Sequence, residues 1–168
     1  MISSLALLLL VLIMTYSSAA DLLQNERQKD RVCIVGSGNW GSAIATLIGR
    51  NCARYESFET RVNMWVYEET VEFQGSKSKL TDLINSRHEN VKYLPGIQLP
   101  TNIVAVPDLA EAAKGATLLV FVLPHQFLPK LLPTIRKHAN PTCRGVSLIK
   151  GLGECFGAAK VHCSPSCI

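Results

Sequence analysis

Apolar and polar residues along this chain fall into two recurring patterns, and these predict its elements. Short apolar runs without period-2 alternation, VCIV at 32–35 and TLLVFVL at 117–123, read as central parallel strands covered on both faces. Further strands are predicted at 61–67 (RVNMWVY), 103–106 and 145–149. Between them, apolar residues recur at spacings of three and four. Trp40, Ala43, Ile44, Leu47 and Ile48 predict the buried face of a helix directly after the first strand. Leu80, Leu83 and Ile84 mark a short helix, and Leu109, Ala112 and Ala113 another, for which Asp108 is the expected N-cap. Leu128, Leu131, Leu132 and Ile135 form a last helical stripe, which Pro129 and Pro133 require to start late or kink. The polar stretch 70–79 shows neither period and is expected to be irregular. ENVKYLPGIQLP at 89–100 is a loop punctuated by Pro-Gly. There is no internal repeat. Strand and helix in alternation predict an α/β fold, a doubly wound parallel sheet.

The turn between the first strand and first helix carries the candidate chemistry. Gly36-Ser37-Gly38-Asn39-Trp40-Gly41 has the GxGxxG spacing of a dinucleotide-binding loop. Gly36 would allow the tight turn, Gly38 would let a pyrophosphate approach the backbone, and Gly41 would let the helix pack closely on the strand. The free N–H groups and positive dipole end of the helix would bind phosphate without a basic side chain. Three glycines in six residues also occur in ordinary turns; the flanking strand and helix favour the phosphate-binding reading. Glu68 and Glu69 follow the second strand, later than the usual spacing for a ribose-binding acid. They read equally as a ribose contact or as a solvated acidic pair. Pro124-His125-Gln126-Phe127 ends another parallel strand, where open α/β sheets bind ligands.

Composition adds limits more than functions. An apolar fraction of 48% over 168 residues fits a folded domain. The net charge of +4 is spread along the chain, with no basic run interleaved with aromatics, and nucleic acid is not an expected partner. Residues 5–14, LALLLLVLIM, followed by small residues before Asp21, have the make-up of a secretory signal. The absence of a preceding Lys or Arg weakens this, and a misjoined first exon is the alternative. The run falls short of the roughly 20 residues of a membrane span. Of six cysteines, Cys33 and Cys52 read as buried fillers, while Cys143, Cys155, Cys163 and Cys167 come late. No CxxC occurs, so no metal site is expected, and disulfides among the late cysteines are left open.

Taken together, VCIVGSGNWGSAIA, VNMWVYEE, HENVKYLPG, LPTNIVAVPDL, VFVLPHQF and VSLIKG resemble the NAD-dependent glycerol-3-phosphate dehydrogenases of the eukaryotic cytosolic type. The resemblance runs over 31–151. It implies a Rossmann-like NAD-binding domain there, after an apolar segment at 1–20 and a linker at 21–30, with a divergent tail at 152–168. It implies NAD as cofactor, held by Gly36, Ser37, Gly38, Asn39, Trp40, Gly41, Tyr67 and Phe127, with Lys150 contacting substrate. By the same resemblance His125 shapes its loop and is not a general acid. The family interconverts dihydroxyacetone phosphate and glycerol 3-phosphate, in the cytoplasm and usually as a homodimer. Its helical substrate domain, which holds the catalytic lysine, has no counterpart in these residues. No catalytic residue is therefore assigned, and the chain alone is expected to bind cofactor without useful turnover. A non-catalytic dinucleotide-binding or subunit-pairing module, secreted or membrane-tethered if 5–14 acts as a signal, is the alternative.

Overall fold

The structure is a computed structural model and describes residues 28–149. At its centre is β1 (Val32–Val35), buried at every position. It pairs in parallel with β2 (Val62–Trp65) on one side and β6 (Leu118–Phe121) on the other, with Cys33 opposite both Asn63 and Leu119. β5 (Ile103–Val106) extends the sheet beyond β2, and β7 (Arg144–Ser147) extends it beyond β6. The order β5-β2-β1-β6-β7 reverses direction between β1 and β6. That reversal opens a crevice at the carboxyl ends of these two strands, where doubly wound sheets take their ligands.

Each face of the sheet has its own helical cover. On one face lie α1 (Asn39–Arg54) and α2 (Leu80–Arg87), whose Ala45, Cys52, Leu80 and Ile84 pack on Val32, Ile34, Val62, Met64 and Ile103. On the other lie α3 (Leu109–Ala113) and α4 (Leu128–His138), whose Ala112, Ala113, Leu128 and Ile135 meet Cys33, Val35, Leu119 and Phe121. Burying a side chain the size of Val, Leu or Ile is worth about 1.5–3 kcal/mol, so the alternating faces of β1 hold both layers to one strand. Asp108 caps α3, accepting from the backbone N–H of Ala110 and Glu111. Pro129 sits in the first turn of α4, where its missing N–H is no loss, and the helix also continues through Pro133.

Two expectations need correction. The buried face of α1 is Gly41, Ser42, Ala45, Gly49 and Cys52, whereas Trp40 and Leu47 are 59% and 58% exposed and Ile44 and Ile48 pack only in part. Close approach to the sheet explains this. A Cβ at Gly49 would stand 2.9 Å from the Ile103 side chain and 3.0 Å from Pro100, so only small residues fit along the contact line. The stretch 70–79 is not irregular. β3 (Thr70–Phe73) and β4 (Ser76–Lys79) form an antiparallel hairpin. Its turn puts Gln74 and Gly75 at φ 52° and 78°, the two left-handed residues that suit the twist of a two-residue hairpin loop. Val71 reaches the core, and the Phe73 ring lies under the Arg87 guanidinium at 4.8 Å.

At the amino ends of the strands Asp30 ties three segments together. Its carboxylate accepts from Thr117 Oγ1 at 2.7 Å and Arg144 Nη2 at 2.6 Å. Burial alone would raise its pKa, but the bonds from Thr117 and Arg144, with the charge of Arg144, outweigh burial and lower it from 3.8. A carboxyl depressed in the folded state contributes stability above its unfolded pKa and loses it as pH falls through the folded value. Asp30→Asn is therefore expected to lower the melting temperature at pH 7 and to approach wild type as the pH drops below 3.8. Melting curves at both pH values check this, and an unchanged gap at low pH would contradict it.

The described cysteines are chemically quiet. Burial, with Cys143 nearby, pushes the Cys33 thiol up to about 12, and burial pushes Cys143 up to about 11. Since the thiolate is the reactive form, neither should be alkylated by iodoacetamide at pH 8 before the protein unfolds. Peptide mapping of the alkylated protein by mass spectrometry locates the adducts and checks this.

Candidate functional site

A cavity of about 700 Å³ opens at the crevice, lined by Gly36, Ser37 and Gly38 after β1, by Trp65, Tyr67 and Glu69 at the end of β2, and by Phe127, Lys130 and Leu131 of the segment after β6. This lies within the range of about 300–1,000 Å³ for small-molecule sites. A second cavity of about 330 Å³, lined by Trp40, His125, Leu148 and Ile149, shares Val122, Leu123 and Pro124 with the first. The two therefore form one trough across the strand-order reversal.

Each glycine of the loop has its own cause. Gly36 has φ 122°, and a Cβ there would sit 2.5 Å from the Val122 carbonyl oxygen. A Cβ on Gly41 would sit 2.5 Å from the Gly36 carbonyl oxygen. At Gly38 a Cβ meets no protein atom within 4 Å, so the space beside it belongs to the trough. No side chain caps α1, and its first turn holds no acidic residue. Its positive dipole end is left uncompensated beside the cavity, suited to an anion.

The loop is held from behind by Asn90, a buried residue that nothing in the sequence pattern singles out. Asn90 Nδ2 donates to the Ser37 carbonyl at 2.9 Å and to Ser42 Oγ at 2.8 Å, and Asn90 Oδ1 accepts from the Tyr93 backbone N–H at 3.1 Å. Asn39 Nδ2 donates to the Tyr93 carbonyl at 3.0 Å, so its side chain is engaged within the protein. Tyr93 in turn gives its hydroxyl proton to Glu69 Oε1 at 2.6 Å, and Lys92 bonds the other oxygen of the same carboxylate. These bonds from Lys92 and Tyr93 hold Glu69 below the usual carboxylate range. Glu68 instead accepts from Thr81 N and Oγ1 at the start of α2. The acidic pair is thus split between the cavity wall and a helix end.

A model of the N-terminal region of NAD-dependent glycerol-3-phosphate dehydrogenase matches residues 31–161. The chain belongs to that family. It is 55% identical over 124 residues to the human cytoplasmic glycerol-3-phosphate dehydrogenase [NAD(+)], covering 74% of this chain and 34% of the relative. A Drosophila virilis relative, also named cytoplasmic, is 54% identical over 130 residues, covering 77% of this chain and 36% of its own. The solved Saccharomyces cerevisiae glycerol-3-phosphate dehydrogenase matches at 46% identity with a TM-score of 0.68, covering 75% of this chain and 35% of that one. The chain thus spans about a third of the length of the curated relatives it matches.

Of the residues carried over from the family, the structure brings Gly36, Ser37, Gly38, Tyr67 and Phe127 to the larger cavity and Trp40 to the adjoining one. Tyr67 is 71% exposed and Phe127 46%, two aromatic walls open to a ligand. Gly41 is buried beneath the loop and Asn39 braces it from the side. His125 is an exposed residue of the 3₁₀ turn His125–Phe127 and lines the smaller cavity. Lys150 and the apolar run 5–14 lie outside the described residues, as do Cys155, Cys163 and Cys167. Among the described residues no helix is long and apolar enough to cross a membrane.

Proposed function

We propose that residues 31–151 are the NAD-binding domain of a cytoplasmic glycerol-3-phosphate dehydrogenase, which interconverts dihydroxyacetone phosphate and glycerol 3-phosphate. The observation that carries this is the trough at the strand-order reversal, with open space at Gly38 beside an uncompensated helix N-terminus. The Gly36 to Gly38 backbone and the first turn of α1 hold the pyrophosphate. Tyr67 and Phe127 wall the adenosine half, and the smaller cavity by Trp40 and His125 receives the nicotinamide half. The bound nicotinamide ring supplies the hydride; the protein supplies its orientation and excludes water from one face. Lys150 follows directly on Leu148 and Ile149, which line the nicotinamide side. As an ammonium it suits the substrate phosphate.

Titration of the purified chain with NADH, followed by nicotinamide fluorescence, tests this. Gly38→Val should weaken binding by at least about 100-fold, because its side chain takes the pyrophosphate's space and every good contact there is lost. It should melt close to wild type, since a Cβ there meets no protein atom within 4 Å. Equal NADH curves for the two proteins would overturn the assignment.

A further inference from the structure

Among the described residues, the wall of the larger cavity holds two charged side chains, Glu69 after β2 and Lys130 on α4. Glu69 is committed within the protein, to Lys92 and to the Tyr93 hydroxyl. Lys130 forms no ion pair among the described residues. The stretch 125–138 contains no Asp or Glu, so no acid one turn away on the helix can pair with it. Its place on the helix is also the wrong one for a cation. Arg136, Lys137 and His138 occupy the last turn of α4, where positive charge suits the negative end of the dipole. Lys130 is the third residue of the same helix, in a first turn with no acidic residue. Its ammonium therefore stands at the positive end and works against the helix. A side chain that breaks a local rule in a cavity wall is expected where a ligand supplies the compensation.

We propose that Lys130 is a further cofactor-binding residue, its ammonium pairing as a point charge with the pyrophosphate of the dinucleotide from the α4 side of the trough. The glycine loop offers that group backbone N–H donors and a helix dipole but no formal charge. Lys130 adds the one cationic side chain of the cavity wall among the described residues. The pyrophosphate is then held between the loop and the ammonium. Bound cofactor also relieves the conflict between Lys130 and the positive end of α4.

This inference rests on the proposed cofactor site, and its test separates the two. NADH is titrated into the wild-type chain, Lys130→Met, Lys130→Arg and Gly38→Val at about 50 mM and about 500 mM NaCl, a range over which charge screening tightens severalfold. A melting curve without ligand is recorded for each. Lys130→Met should bind NADH about five- to tenfold more weakly at low salt, between the worth of an exposed ion pair and that of a hydrogen bond to a charged group. NADH carries its negative charge on the pyrophosphate, so wild-type affinity should fall with salt more steeply than that of Lys130→Met. Lys130→Arg keeps the charge and should recover most of the loss. Without ligand, Lys130→Met should melt at or slightly above wild type, because an unfavourable charge has left the helix end. Equal NADH affinity in wild type and Lys130→Met overturns the role of Lys130. So does a loss with unchanged salt dependence, or one matched by a lower melting temperature, which would make the lysine a structural residue. In each of those cases the cofactor site stands if Gly38→Val still loses NADH. If wild type does not bind NADH, or Gly38→Val binds it equally, the cofactor site itself is wrong and the inference falls with it.

Discussion

Gly36→Ala is expected to cost the domain about 2–6 kcal/mol, the sum of a non-glycine residue forced to a positive φ and an overpacked contact. The position combines φ 122° with a Cβ placed 2.5 Å from the Val122 carbonyl oxygen and 2.9 Å from its carbon. Both of those atoms are backbone. They follow β6 directly, and Val122 N–H already donates to the Val35 carbonyl at 3.0 Å. Moving Val122 away would therefore break the parallel pairing of β1 with β6 at the mouth of the trough. Gly41→Ala should be less severe: its Cβ meets the Gly36 carbonyl at 2.5 Å, but its φ is helical and α1 can shift slightly. Gly38→Ala should lie within about 0.5 kcal/mol of wild type, like an ordinary surface change. Urea unfolding of the three variants gives the order. Since small domains have only about 5–15 kcal/mol in hand, the first could leave a measurable unfolded fraction in water. Equal losses at all three positions would mean that the loop is not shaped by the contacts described.

The sequence revealed the sheet because its central strands are apolar without alternation, as at 32–35 and 117–123, and because a buried strand tolerates little else. It revealed the glycine loop for a related reason: Gly36 and Gly41 are forced by backbone contacts, and such positions leave a residue type as their trace. Hydrophobicity is a poor guide to the buried face of α1. Where a helix approaches a sheet closely, Gly41, Ala45 and Gly49 occupy the contact line and larger residues such as Trp40 and Leu47 are left outside. The hairpin leaves little trace in the sequence because β4 reads SKSK and only Val71 and Phe73 alternate on β3. Its Gln-Gly turn was the available signal. Glu69 could be named as a candidate but not separated from Glu68, since their difference lies in partners over ten residues away, Thr81 for one and Lys92 with Tyr93 for the other.

Asn90 had no sequence signal of its own, yet it should give one of the largest effects in the protein. It is fully buried, and it commits its side chain to three groups that nothing else nearby can serve as well. Asn90→Ala leaves the Ser37 carbonyl with only the long 3.3 Å bond from Ser42 Oγ, and leaves the Tyr93 N–H without an acceptor. Each unsatisfied buried group costs about 1–3 kcal/mol, so a loss of about 2–4 kcal/mol is expected. Asn90→Asp keeps the shape and the acceptor for Tyr93 but turns the donating amide into an oxygen facing the Ser37 carbonyl. It also buries a charge with no cation among its partners. It should be at least as destabilising at pH 7 as Asn90→Ala, and should recover partly at lower pH, where a protonated carboxyl can donate again. Both variants also loosen the carbonyl that shapes the Gly36 to Gly38 turn, so NADH affinity should fall along with stability. Urea unfolding at about pH 7 and about pH 5, with NADH titration of the folded fraction, measures both effects. A loss under about 1 kcal/mol for Asn90→Ala, or Asn90→Asp as stable as wild type at pH 7, would show that the loop holds its shape without Asn90.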